Sequence, residues 1–447
     1  MFIRYMLVLV AASATACSTY DERMAKHHKA FYESRLPEAV DGLRLEVADS
    51  SSEDVDLVTL ELASALQASG HYAEAGQLLD DVASGLEVLD YTTDSVEDVM
   101  AFTFSGESET WKATPPERLM VHTQGMINWL AEGDLSGAQV EARSLDVLLQ
   151  QEDIPDEEKY SNRFATGLAG FCFEQGGNFE EAAEMWSSFG EDANPFARSV
   201  EPESPDWGTV LLIGQVGKAP IRMEGIYIIR VDNIVRQLRL PVIVQREVEY
   251  SNIATVVDGS PKGDLAPVFD LGAHLVERYS RERGVLMAAA ATQLAVRVVA
   301  AEVARAVGES LGGDDYGALL GWVMGQGTSA GLAEAMQADT RCWSLLPNWL
   351  SVQRLELPPG QHELEINLKY GGSTRKRLTE TINLQPRGLV VLNLVTDIHR
   401  TGLYTPPPKP LDIDQPEDPD VIAAQSAYED SYEAEGGEGT ADADVEE

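Results

Sequence analysis

The chain has 447 residues and is strongly acidic, with 74 Asp and Glu against 33 Lys and Arg and a formal net charge of −41. This excludes a general nucleic-acid-binding protein, which needs basic surface to displace counterions from phosphates. Hydrophobic and charged fractions of 44% and 24% exclude a wholly disordered or collagen-like chain. The length predicts two or three domains. Three Cys are too few for a disulfide scaffold or a four-thiolate zinc site.

The first residues have the pattern of a secretory signal sequence. Arg4 supplies a short basic region, an uncharged and largely apolar run covers 5–12, and small residues lead up to Cys17. The apolar run is too short to span a bilayer as a stable helix, which is typical of a cleaved signal. We therefore predict a signal peptide over 1–16.

The four residues Ala14-Thr15-Ala16-Cys17 resemble a bacterial lipobox, although Ala14 stands where Leu is usual. The resemblance implies cleavage before Cys17 and acylation of that residue. Several acyl chains, at about 0.8 kcal/mol per buried methylene, would anchor the protein stably. We predict a lipidated N terminus over 17–23 and, because Ser18 rather than Asp follows the Cys, an outer-membrane protein that faces the periplasm. An ordinary signal with an incidental Cys is the alternative.

Charge divides the chain into two parts. Residues 21–206 carry 40 acidic and 11 basic side chains, whereas residues 207–411 carry 20 acidic and 21 basic ones. The hydrophobic pattern also changes near Pro205, which favours a domain boundary there. We predict an α+β multidomain protein with a helical domain over 24–205 and a β-rich domain over 206–403.

The carboxyl-terminal residues 404–447 differ from both parts. A Pro-rich run over 404–410 predicts a stiff linker, and residues 411–447 hold 14 acidic and no basic side chains. Such a segment cannot bury enough apolar surface to offset its ordering entropy. We predict a disordered acidic tail; an acidic binding tail is the alternative.

A short motif, Gly-x-apolar-x-x-Ala, recurs in the helical domain. Its Gly would end one helix in the left-handed conformation, its apolar residue would plug the helix pair, and its Ala would allow close helix packing. The pattern resembles the tetratricopeptide repeat, although only one spacing approaches the period of about 34 residues. It predicts an irregular α-solenoid with a concave surface for a partner, or else a plain helical packing domain. The three copies are Gly70, Tyr72 and Ala75; Gly133, Leu135 and Ala138; and Gly177, Phe179 and Ala182.

Short runs bounded by turn residues predict strands in the second domain. Two groups of four suggest a β-sandwich, of which the immunoglobulin type is one candidate, split by a helical insert over about 267–337. The insert includes a Gly-rich stretch without charged residues over 316–333. The polar residues in this stretch favour close packing or a loop over insertion into a membrane. The predicted strands are 209–216, 222–230, 242–248, 252–257, 352–357, 362–368, 377–384 and 389–395.

The segment Ala338-Asp-Thr-Arg-Cys-Trp-Ser-Leu-Leu-Pro347, together with Leu355–His362, looks like part of an uncharacterised family of bacterial lipoproteins. The resemblance covers most of 17–400. It implies a lipobox, a helical-repeat front half and a β-rich back half with an Asp-Thr-Arg-x-Trp signature. Ser often replaces Cys342 in the family, which implies that this thiol is not essential. Some members are encoded beside lipoprotein activators of penicillin-binding proteins, which implies a role in envelope assembly.

Asp339, Arg341 and Trp343 in this segment form a candidate cluster. Asp339 and Arg341 can form an ion pair that locks two elements together, with Trp343 as an anchor. The alternative is a ligand site in which Arg341 binds an anion and Trp343 stacks on a sugar.

Sequence motifs give no catalytic or metal site. No His-Glu-x-x-His or Cys-x-x-Cys occurs. Gly308-x-Ser-x-Gly312 follows a predicted helix instead of a strand, and Ser373-x-x-Lys376 lies in a hairpin turn, so neither fits a nucleophile. Cys172 and Cys342 either remain buried thiols or form a disulfide. We expect no enzyme activity and no cofactor.

These features together favour a lipid-anchored envelope scaffold that binds a partner protein through its helical repeat. The membrane and an envelope protein are the expected partners, and a homo-oligomer is a further option. A component of an export assembly, with the Gly-rich insert in oligomeric or membrane contact, is one alternative. A peptidoglycan- or glycan-binding protein that uses Arg341 is the other.

Overall fold

The computed structural model describes residues 19–50, 53–86, 110–150, 162–190, 192–198, 202–231, 234–286 and 338–395. The predictions for the signal peptide, Cys17, the stretch over 316–333 and the acidic tail lie outside these residues. Within the described part, no helix is both long and apolar enough to cross a membrane.

The amino-terminal part is a series of helices in which each packs against the next. Their bounds are α1 Tyr20–Tyr32, α2 Leu36–Asp49, α3 Val55–Ala68, α4 Tyr72–Ala83, α5 Pro115–Glu132, α6 Leu135–Gln150, α7 Arg163–Gln175 and α8 Phe179–Trp186. Every consecutive pair is in contact, and α5 also packs against α7. A 3-10 turn, Ser187–Phe189, follows α8.

The glycines of the repeat motif share one backbone conformation. Gly70, Gly133 and Gly177 have φ angles of 81°, 83° and 85°. This is the left-handed region, where Gly avoids the steric penalty of a Cβ atom and can end a helix. The Ala positions that follow, Ala75, Ala138 and Ala182, are all buried.

The apolar positions of the motif differ from one another. Tyr72 is 1% exposed, Leu135 is partly buried, and Phe179 is 67% exposed. The expectation that this residue plugs a helix pair therefore does not hold for Phe179. The reason is position in the series, because α4 packs against both α3 and α5, whereas α8 packs against α7 and the 3-10 turn.

The carboxyl-terminal part contains ten described strands. They are β1 Gly208–Val216, β2 Ile221–Val231, β3 Ile234–Val244, β4 Asn252–Val257, β5 Ser260–Asp264, β6 Ala266–Asp270, β7 Trp349–Leu357, β8 Gly360–Tyr370, β9 Ser373–Leu384 and β10 Leu389–Val395. One sheet has the order β10-β1-β7-β6, with β10 parallel to β1. A second has the order β5-β4-β8-β9, and β2 pairs with β3. Residues 271–286 are helical.

Two hydrophobic cores place the first sheet between the helices and the second sheet. Leu211 and Ile213 of β1 belong to the core that the helices share. Val210 and Leu212 belong to the core formed with β4, β8 and β9 of the second sheet. Alternate side chains of a strand point to opposite faces, so β1 is buried on both. The predicted α+β class is confirmed, and the helices and the first sheet share a core.

Candidate functional site

Residues 338–347, here called the inserted segment, run along the helices and are held there by backbone hydrogen bonds. The N–H of Trp343 donates to Oε1 of Glu117 at 3.0 Å. The N–H groups of Ser344 and Leu345 donate to the two carboxylate oxygens of Glu61 at 2.7 and 3.1 Å. Glu61 and Glu117 are both buried. Two helical carboxylates therefore hold this segment through its backbone N–H groups, and Ser344 and Leu345 form a turn on Glu61.

Arg341 lies at the start of the inserted segment and is completely buried. Its guanidinium contacts Asp339 at 2.7 Å and Asp54, which precedes α3, at 2.8 Å. Burial by itself lowers the pKa of Arg341, but hydrogen bonds and charge from Asp339 and Asp54 raise it above the ordinary value. Arg23 of α1 also binds Asp54, at 2.7 Å. The attraction of the Arg341 cation to two carboxylates offsets the cost of removing it from water.

Trp343 anchors the same segment. It is 2% exposed, and its Nε1–H donates to Oγ of Ser64 in α3 at 2.8 Å. The structure thus brings Asp339, Arg341 and Trp343 together as a buried structural cluster. The interpretation as a ligand site needs an accessible guanidinium and ring face, and neither is accessible here.

Amide side chains continue this junction toward the first sheet. Nε2 of Gln215 in β1 donates to Gln67 of α3 at 2.7 Å and to Asn393 of β10 at 2.9 Å. Gln67 donates to Asn128 and Gln124 donates to Gln215, each at 3.0 Å. All five are buried. The inner face, meaning the side of α3 and α5 that contacts the inserted segment and the first sheet, is therefore filled by the chain itself.

Helices α2, α4, α6 and α8 each expose apolar or acidic side chains to solvent. We call the exposed surface of α2, α4, α6 and α8 the outer face. Among the described helices, the exposed large apolar side chains all lie there: Leu45 at 72%, Val140 at 54%, Val147 at 57% and Phe179 at 67%. Nε2 of Gln139, next to Val140, donates to the carbonyl of Cys172 and packs on Gly176, three residues before Phe179. This contact brings α6 close to the start of α8.

Acidic side chains follow one of these apolar residues, Phe179, on α8. Glu180, Glu181 and Glu184 of α8 are exposed, and no ion pair of theirs occurs within the described part of the chain. An exposed apolar residue followed by three exposed carboxylates is suited to a partner that presents apolar and basic side chains.

A titratable cluster joins α4, α5 and α6. Nδ1 of His122 and Oε2 of Glu141 are 2.8 Å apart, and Gly125 leaves room for the Glu141 carboxylate. Burial and the neighbouring Glu141 raise the pKa of Asp80 to about 7, although a hydrogen bond from Trp129 opposes the shift. Two carboxyl groups that share a site cannot both ionise at no cost.

The two described cysteines, Cys172 and Cys342, are buried free thiols. Burial raises the pKa of Cys342 to about 11 and that of Cys172 well above its ordinary value. Since the thiolate is the reactive form, neither is suited to nucleophilic chemistry. No set of three metal-ligating side chains occurs among the described residues.

Sequence reasoning missed Glu61, Glu117 and Asp54 as parts of this junction. Glu61 stands between Leu60 and Leu62 in an apolar helix, and a carboxylate there signals a buried partner. Thr114 and Glu117 have the spacing of a capping box, and Glu117 accepts the N–H of Thr114 at 2.8 Å. Neither signal identifies the inserted segment as the partner.

Comparison with protein-family models, with curated proteins and with solved structures finds no significant match for this chain. The resemblance based on the inserted segment therefore stays a prediction.

Proposed function

We propose that this protein is a lipid-anchored scaffold of the cell envelope that binds a partner protein through the outer face of its helices. One observation carries the proposal: the exposed large apolar side chains of the described helices all lie on that face, where three exposed carboxylates follow Phe179. The inner face, which a solenoid would ordinarily present to a peptide, is occupied by the inserted segment.

The proposal includes a finer description of the fold. The helices are tetratricopeptide-like, which is supported by the consecutive packing and the left-handed Gly70, Gly133 and Gly177. The two four-stranded sheets form a β-sandwich, which is supported by the core that they share.

The location rests on the lipobox and on the resemblance to envelope lipoproteins. Thr19 caps α1 through a hydrogen bond from the N–H of Glu22 at 3.3 Å. Only Ser18 separates this cap from Cys17. Acylation of Cys17 would therefore hold the first helix close to the membrane surface. Replacement of Cys17 by Ser should release the protein from membranes and remove incorporated palmitate; retention of both would contradict the anchor.

The proposed partner surface is tested by photo-crosslinking in cells. A photoreactive residue is placed at Val140 or Phe179, with Met223 of β2, which is 48% exposed, as the matched control site. We expect one dominant envelope protein to be crosslinked from Val140 and Phe179 and not from Met223. Equal products from all three sites, or none, would overturn the proposal. Deletion of the helices is unsuitable, because they share a core with the first sheet.

A further inference from the structure

The hairpin of β8 and β9 concentrates positive charge in a strongly acidic chain. Residues 369–377 contain Lys369, Arg375, Lys376 and Arg377 and no acidic residue. The turn between the strands uses Gly371 and Gly372, with φ angles of 56° and 82°. We call residues 369–377 the basic hairpin.

The tip of the basic hairpin has the composition of an interface anchor. Tyr370 is 48% exposed, and the Arg375 guanidinium lies 5.7 Å from the centroid of its ring. Arg375 makes no ion pair within the described part of the chain. Two other cations of the hairpin are paired: Lys369 lies 3.2 Å from Asp264, and Arg377 lies 3.3 Å from Glu365. Tyr and Arg are the side chains most often found at energetic centres of protein interfaces.

The same chain carries a complementary surface. On α8, the exposed Phe179 is followed by the exposed Glu180, Glu181 and Glu184. Val140 of α6 is exposed as well. An apolar site with three carboxylates matches a tip formed by the exposed Tyr370 and by Arg375, which makes no ion pair within the described residues. Tyr370 and Phe179 are both exposed in the folded chain, so each surface is free to meet a second copy.

We propose that the basic hairpin of one copy docks on the Phe179 surface of α8 in another copy. The inference rests on the proposed function, since it names a second copy as the partner of the outer face. The contact joins two different surfaces, so each added copy presents both again and assembly proceeds to a ring or a filament. The repulsion between copies that each carry a net charge of −41 is largely screened beyond about 8 Å at physiological salt, whereas charges that are partly buried in a contact are screened much less.

A charge-swap experiment on the full-length lipidated protein in detergent tests this. Light scattering should show that the wild type associates and that R375E/K376E and E180K/E181K each weaken association by about tenfold or more. The control K262E/R387E likewise reverses two basic side chains, both exposed and outside the basic hairpin, and should associate as the wild type does. An equimolar mixture of the two interface variants should associate again, because the reversed hairpin of one matches the reversed surface of the other. Both reversals in one chain should also restore association.

A monomeric wild type, or no recovery in the mixture, would overturn the inference. If Val140 and Phe179 then still crosslink a different envelope protein, the proposed function stands without it. If those sites crosslink nothing and the wild type is monomeric, both are wrong.

Discussion

The carboxylate of Glu61 accepts the backbone N–H of Ser344 at 2.7 Å, which joins two residues 283 positions apart in the sequence. The same carboxylate accepts the N–H of Leu345. Because Glu61 has no exposed surface, these donors replace the water that it loses on folding. The inserted segment is therefore part of the folded core of the helices.

Replacement of Glu61 by Ala should destabilise the protein strongly. The change leaves the N–H groups of Ser344 and Leu345 buried without an acceptor, at about 1–3 kcal/mol for each. Urea unfolding followed by circular dichroism measures the loss. Glu180→Ala, at an exposed carboxylate, is the control and should change stability by less than about 0.5 kcal/mol. Equal effects of the two changes would contradict the role of Glu61.

Replacement of Arg341 by Met should cost about 3–5 kcal/mol, because it leaves Asp339 as a buried carboxylate without its cation and leaves Asp54 with Arg23 alone. A double-mutant cycle with Asp54→Asn provides the check. The double variant should lose less stability than the sum of the two single variants, because the residues act as a pair. Additive losses in urea unfolding would show that the pair is not coupled.

The stability of the protein should fall as the pH rises toward neutrality, because the carboxyl group of Asp80 loses its proton in this range. Its pKa is raised from 3.8 to about 7, so the folded state keeps the proton more firmly than the unfolded state does. The contribution is fully present below about pH 4 and is lost as the pH rises through about 7. Solvent screening at this exposed residue keeps the change below about 1 kcal/mol.

Asp80→Asn should therefore gain stability relative to the wild type as the pH rises across this window. Urea unfolding at several pH values measures the difference between the two proteins. Glu141→Gln removes the neighbouring charge that raises the pKa of Asp80. The stability of this variant should therefore depend less on pH than the stability of the wild type does. A difference between wild type and Asp80→Asn that does not change with pH would refute the assignment.

The thiols of Cys172 and Cys342 should be inaccessible in the native protein. Both are buried and have raised pKa values, so a thiol reagent at mildly alkaline pH should react with them only after unfolding. Unfolding in denaturant without a reductant should expose both. If neither thiol then reacts, the two residues form a disulfide and the free-thiol description is wrong.

The sequence predicted the fold class and most strands because these depend on local pattern. All eight predicted runs overlap strands of the structure, although β3 begins at Ile234, before its predicted start. Strand β5 was missed because Ser260-Pro-Lys-Gly-Asp264 has no apolar alternation and is exposed throughout. Strand β6 is short and starts where the helical insert was expected to start.

The candidate site was less predictable, since its contacts are long-range. Asp339, Arg341 and Trp343 were identified, but their partners Asp54, Glu117 and Ser64 lie more than 200 positions away. Periodicity does not encode such pairings. The motif predicted equal burial for Tyr72 and Phe179, and their difference depends on whether another helix follows in the series.

The parallel pairing of β10 with β1 has a consequence for biogenesis. Strand β1 ends at Val216, yet its partner is not synthesised until residue 395. A nascent chain must therefore leave the β10 edge of β1 unpaired until residue 395 has emerged, and the Glu61 and Glu117 carboxylates of α3 and α5 without their partners until residue 345 has emerged. Such late closure exposes apolar surface for a long time, and we therefore expect chaperones to bind the incomplete chain during synthesis.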